Sequence, residues 1–120
     1  MMNRKLNLPA AGYHMLQILA AADGKFSVEE DLVIRNFLVK TFPFGVNLDG
    51  EMDFLSSLSP DDYYTHFLKC MDDFYSDSTE KDRAHFIDFA VKLTKADNNI
   101  TAIENSYIDA LFSAWEPDHV

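Results

Sequence analysis

The stretch Asp23-Gly24-Lys25-Phe26-Ser27-Val28-Glu29-Glu30 returns near the other end of the chain as Asp97-Asn98-Asn99-Ile100-Thr101-Ala102-Ile103-Glu104, a shift of 74 residues. Each recurring position answers one backbone demand. Asp23 and Asp97 stand at a helix end, and Gly24 and Asn98 are the residue types most at ease in the left-handed region that closes one. Phe26 and Ile100 are apolar anchors. Ser27 and Thr101 stand three places before Glu30 and Glu104, which is the spacing of a capping box: the hydroxyl accepts from the backbone N–H of the Glu, and the carboxylate reaches back to the cap. Both copies read as helix, tight turn, helix. A chain organised by this duplication is predicted to be all-α, with two pseudo-two-fold-related helix-turn-helix units.

Apolar residues recur at helical spacing on either side of the repeats, and strand-like alternation is nearly absent. A first helix, from residue 8 or 11 to 22, carries a buried stripe of Met15, Leu16, Ile18, Leu19 and Ala22. A second, over 28–41, uses Leu32, Val33, Ile34, Phe37 and Leu38 and is stopped by Pro43 and Gly45. A short helix over about 48–58 presents Met52, Phe54, Leu55 and Leu58. Ser59-Pro60-Asp61-Asp62 is a strong start, with a hydroxyl cap, proline at the first helical position and acids in the electropositive first turn. The helix it opens repeats Tyr64, Leu68, Met71 and Phe74 or Tyr75. Asp77-Ser78-Thr79-Glu80 caps the next, which runs through Ala84, Ile87, Ala90, Val91 and Thr94, and the last helix presents Ile103, Tyr107, Ile108, Leu111, Phe112 and Trp115 before Pro117. With no linker-like stretch, six or seven helices are expected to share one core in a single compact bundle over residues 1–120.

The 120 residues are 48% apolar and 13% aromatic, enough for one domain to bury about two thirds of its unfolded surface. The single cysteine, Cys70, permits no internal disulfide, and no Cys/His run has zinc-finger spacing, which points to a reducing interior such as the cytoplasm. Arg4 and Lys5 before the apolar residues 8–22 imitate a signal peptide, but His14 and Gln17 interrupt the run. No stretch reaches the length of a membrane span. Ten basic against twenty acidic residues give a formal charge of −10, a field that repels phosphate backbones and argues against nucleic acid as a partner while suiting a basic protein surface or a cation.

Two units of the form Ala-Asp-Gly-x-apolar-Ser/Thr-x-x-Glu, near the two ends of a small acidic helical chain, resemble the tellurite-resistance TerB-like family. The front copy, residues 21–30, carries the whole pattern. The rear copy, residues 94–104, departs from it with Asn98 for Gly and Ile103 where the front has Glu29. The resemblance implies a compact helical bundle associated with stress and tellurite resistance, with links to metal sensing and to membrane-associated partners; with the acidic charge and no catalytic motif, the expected role is a non-enzymatic module acting through an acidic surface on a protein partner.

Asp-Gly-x-apolar-Ser-x-x-Glu also matches the second half of an EF-hand loop, but the first half is missing: loop positions 1 and 3 fall on Leu19 and Ala21, and on Leu93 and Lys95. Paired about a two-fold, Asp23, Glu30, Asp97 and Glu104 could together offer oxygen ligands to a divalent cation; alternatively, both Glu residues cap their helices and both Asp residues accept local N–H bonds. Asp62, His66 and Cys70, at i, i+4 and i+8, share one helical face, but two full turns are too long for one ion to bridge. His14, His66, His85 and His119 sit in no HExxH or triad context, and Cys70 reads as a buried apolar thiol. Asp72-Asp73, near a helix C-terminus where negative charge is unfavourable, suits an acidic surface. Tyr63, Tyr64, Phe67, Phe74 and Tyr75 read as core and its rim. No nucleophile–base pair or phosphate loop is present, so no catalytic residue is assigned.

Overall fold

Asn7 starts the first helix: its Oδ1 accepts from the Ala10 backbone N–H at 3.0 Å, and Pro9 lies in the first turn, where no intrahelical donor is missed. α1 (Leu8–Ala20) is followed by α2 (Val28–Thr41), α3 (Glu51–Ser57), a 3-10 turn at Pro60–Asp62, α4 (Tyr63–Asp77), α5 (Glu80–Lys95) and α6 (Ala102–Trp115). This computed structural model describes residues 6–21, 28–42, 48, 50–95 and 102–115, and of residues 95 and 102–104 the backbone alone. The described residues contain no strand, and none of their helices is long and apolar enough to cross a membrane. The all-α bundle is the architecture found.

The duplication is visible in the helices. A shift of 74 residues carries Val28 to Ala102 and Thr41 to Trp115, so α2 and α6 begin and end in register and each has 14 residues. The repeated turns themselves, with Ala22, lie outside the described residues, as does Pro117.

α1 runs through the middle of the bundle and packs against α2, α3, α4 and α5. Every residue from Pro9 to Ala20 is buried. The sequence predicts one apolar stripe, and Met15, Leu16, Ile18 and Leu19 are indeed fully buried. The difference is that α1 has no solvent face at all, because neighbours surround it, and its polar residues are buried with the rest. Gly12 marks a close approach: a Cβ there would stand 3.2 Å from Leu38 Cδ2 and 3.4–3.5 Å from the rings of Phe86 and Phe74.

The surrounding helices bury narrower faces. On α2 these are Ile34 and Leu38, with Phe37 half-buried, whereas Leu32 and Val33, expected in the core, are 56% and 48% exposed. They precede Ile34 by two and one positions, which is about 200° and 100° around the helix, and so turn away from α1. On α4 the inner face is Phe67, Cys70, Met71 and Phe74; Tyr64 and Leu68 lie on its flank and are exposed. α5 contributes Phe86, Ile87, Ala90 and Thr94, with Ala84 left exposed, and α6 contributes Tyr107, Ile108, Leu111 and Trp115. Phe74 gathers Phe42, Phe86 and Trp115, at ring-centroid separations of 5.9, 4.8 and 5.1 Å.

The predicted helix starts appear where hydroxyls stand. Ser59 Oγ accepts from the Asp61 N–H at 3.3 Å. Thr79 and Asp82 form a reciprocal cap: Thr79 Oγ1 accepts from the Asp82 N–H at 3.1 Å, and Asp82 Oδ2 accepts from the Thr79 N–H at 3.0 Å. Gly50, at φ +80°, makes the left-handed entry into α3 and so sets the direction in which Glu51 faces the bundle.

Candidate metal centre

Three elements bring their polar residues to one point inside the bundle. α1 supplies His14, fully buried. α4 supplies His66 and Cys70, four residues apart and therefore one turn above the other on the same face. α3 supplies Glu51, its first residue, 7% exposed.

His14 Nδ1 lies 2.8 Å from His66 Nε2, and His66 Nε2 lies 3.4 Å from Cys70 Sγ. All three candidate ligand atoms fall within 4.8 Å of one another, and this is the single such group of His, Cys, Asp or Glu side chains among the described residues. On the far side of the His14 ring, Nε2 stands 2.6 Å from Glu51 Oε1. Phe54, one turn along α3 from Glu51, stacks on His14 with centroids 5.5 Å apart and lies 5.3 Å from the His66 ring, covering the pair on its outer side.

Tetrahedral zinc, with Zn–N of about 2.0–2.1 Å and Zn–S of about 2.3 Å, spaces its nitrogen ligands by about 3.3 Å and nitrogen from sulfur by about 3.6 Å. The observed 2.8 and 3.4 Å are near those values and the third pair, His14 with Cys70, lies within 4.8 Å, so an ion would part the two imidazoles by about half an ångström and draw His14 and Cys70 together by up to about 1.2 Å. The residues fit a borderline-soft cation, and two imidazoles with a thiol are the wrong donors for calcium or magnesium.

Burial keeps His66 and Cys70 uncharged near neutral pH when no ion is present. Burial, with help from the charges on His14 and Lys69 and against a pull from Asp73, lowers His66 to about 4. Burial raises the Cys70 thiol to about 12, so it enters coordination only by losing its proton as the ion arrives.

A second polar cluster fastens α1 to α2. Asp31 Oδ1 accepts from the Tyr13 hydroxyl and from Gln17 Nε2, each at 2.6 Å, and Asp31 Oδ2 accepts from Arg35 Nε at 2.7 Å. Arg35 also donates to the Tyr13 oxygen at 3.1 Å. With both carboxylate oxygens of Asp31 engaged in this way, the cluster reads as a clamp between helices.

Of the four carboxylates considered from the sequence, Asp23 and Asp97 lie outside the described residues and only the backbone of Glu104 is described. Glu30, half-buried on the first turn of α2, is not a member of the centre. In keeping with the two-turn span, Asp62 does not join His66 and Cys70: it is exposed in the 3-10 turn, and the residue that meets them, which the sequence reading did not place there, is His14 from α1. His85, which with Asp88 three residues on could have shared a helical face as a ligand pair, is exposed, as is Asp88. Asp73 is no part of a free acidic surface, since it accepts from the Leu6 N–H at 3.1 Å and pairs with Lys69 at 2.6 Å. Sequence reasoning passed over His14 and Glu51. The available signal for His14 was a polar residue in the middle of an apolar run.

In comparisons with known proteins, no protein family, curated protein or solved structure matches the chain.

Proposed function

We propose that this chain is a non-enzymatic metal-binding protein whose ion is held by His14 Nδ1, His66 Nε2 and Cys70 Sγ. The observation that carries the reading is the convergence of these three donors from two helices in the bundle interior. In the ion-free chain one imidazole donates to the other across 2.8 Å, and an ion between them would replace that hydrogen bond and add the Cys70 sulfur as a third donor, beside a buried carboxylate. The TerB-like resemblance of the repeated turns, with that family's links to metal sensing, agrees with this role, although the donors proposed here are not residues of those turns.

The test is titration of chelator-stripped protein with Co2+ and Zn2+. A Cys–Co2+ bond gives a thiolate-to-metal charge-transfer band in the near ultraviolet, and tetrahedral Co2+ gives intense visible bands. Both are expected in the parent chain at one equivalent, with the charge-transfer band lost in Cys70→Ser. Zn2+ at a hundred times its Kd is expected to stabilise the fold by about 2.7 kcal/mol. A featureless cobalt spectrum together with a melting temperature indifferent to zinc would end the proposal.

A further inference from the structure

We infer that the outer face of α2 is where two copies of this chain meet, their α2 helices packed antiparallel about a two-fold axis. The inference does not depend on the metal centre.

The outer side of α2 is apolar where its own bundle does not require it. Val28, Leu32 and Val39 are 74%, 56% and 54% exposed. At 100° per residue they fall within about 40° of one another, a single stripe along a helix about 21 Å long. The duplicated helix supplies the comparison. The shift of 74 residues that carries α2 onto α6 places Ser106 at the position of Leu32 and Ser113 at that of Val39, and both serines are exposed. A helix in this register is thus built with serine on its solvent side, and α2 departs from its own copy at two positions of one stripe, both times toward apolar. Scattered exposed apolar residues are ordinary, whereas contiguous ones mark an interaction surface.

The charges beside the stripe identify what covers it. Glu29 and Lys40, both exposed, lie about 20° apart on the same flank of the stripe and near opposite ends of the helix. About a two-fold axis perpendicular to two antiparallel helices, each flank meets the same flank of the other copy, so the contact is isologous. Centring the pair between Arg35 and Asn36 sets Leu32 opposite Val39 of the other copy, twice, and Glu29 within one turn of Lys40 of the other copy, again twice. The face is self-complementary in apolar surface and in charge together. In a parallel pair Glu29 and Lys40 of the other copy stay eleven residues apart along the axis, about 16 Å, and neither charge is met. With three apolar residues from each copy, the contact belongs to the small, reversible class of association.

The experiment is sedimentation velocity of the full chain over about 10 to 500 µM, with reductant and chelator present so that neither a Cys70 disulfide nor a metal bridge contributes. The parent is expected to move from the mass of one chain toward that of two as concentration rises. Leu32→Ser with Val39→Ser, which installs the residues of α6, is expected to weaken self-association by about a hundredfold or more and to leave the melting temperature of dilute protein unchanged. Lys40→Glu is expected to weaken it about tenfold, and Glu29→Lys added to Lys40→Glu to restore the parent behaviour, since the double reversal recreates both pairs. A parent that stays a single chain throughout, or a dimer untouched by the serine substitutions, would overturn the inference. So would a double reversal that associates no better than Lys40→Glu alone. A serine variant that melts below the parent, at a concentration where the parent is a single chain, would show the stripe to be covered by its own chain and would overturn it too.

Discussion

His14 Nδ1 and His66 Nε2 stand 2.8 Å apart although 52 residues separate them in the chain, and this contact ties the central helix to α4. Whatever changes the protonation or ligation of one ring is felt by the other.

The first consequence is a pH dependence of stability. His66 is held at about 4 in the folded protein, below its ordinary 6.5. Between those values the unfolded chain binds more protons than the native one, so stability falls as pH drops from about 6.5 to about 4, with no further loss from this ring below that. After allowance for solvent screening the loss is on the order of 1–2 kcal/mol. Urea denaturation of the ion-free protein at several pH values across the window, beside a His66→Phe variant, measures it. Parallel pH profiles in the two proteins would count against this assignment.

Asp31 carries the clamp between α1 and α2. In Asp31→Ala the Tyr13 hydroxyl, Gln17 Nε2 and Arg35 Nε each lose an acceptor, and Gln17 is fully buried. The expected cost is about 2–4 kcal/mol. Asp31→Asn, which keeps one acceptor oxygen, should cost less. If calorimetry found the alanine variant as stable as the parent, the cluster would be ornament rather than clamp.

Gly12 tests how tightly α1 is enclosed. Alanine would gain about 1 kcal/mol of helix propensity but meets Leu38 at 3.2 Å, so its net effect is expected to stay within about 1 kcal/mol of zero. Valine must place two more carbons against Leu38, Phe86 and Phe74, at a cost of about 1–3 kcal/mol or more. A valine variant that melts with the parent would mean the packing there is looser than described.

The reciprocal cap at α5 is exposed and self-contained. Thr79→Ala removes the acceptor for the Asp82 N–H and should cost about 1 kcal/mol, with amide exchange accelerating first in the opening turn of α5. Unchanged exchange at residues 80–83 would contradict it.

Much of the fold was legible because helix starts are written in local chemistry. Ser59-Pro60 and the start at residues 77–80 concern neighbours a few residues apart, although the acid that completes the Thr79 cap is Asp82, one turn further on. Which face each helix buries was harder to read. Leu32, Val33, Tyr64 and Leu68 fit a helical period as well as Ile34 or Phe67 do, and only the position of α1 decides between them. The centre divides in the same way. His66 and Cys70 share a turn of one helix, so their proximity follows from spacing alone. His14 and Glu51 reach them only through the docking of α1 and α3 against α4, a relationship that periodicity does not encode.

The enclosure of α1 also bears on how the molecule is made. Residues 8–20 leave the ribosome before the helices that sheathe them, and at about 5–20 residues per second the end of α4 follows only some 3–11 seconds later. During that interval, of the helices that enclose α1 in the folded bundle, only α2 and α3 can be in place. The seat of His14 is therefore completed late in synthesis, when α4 reaches the apolar surface that residues 8–20 leave uncovered until then.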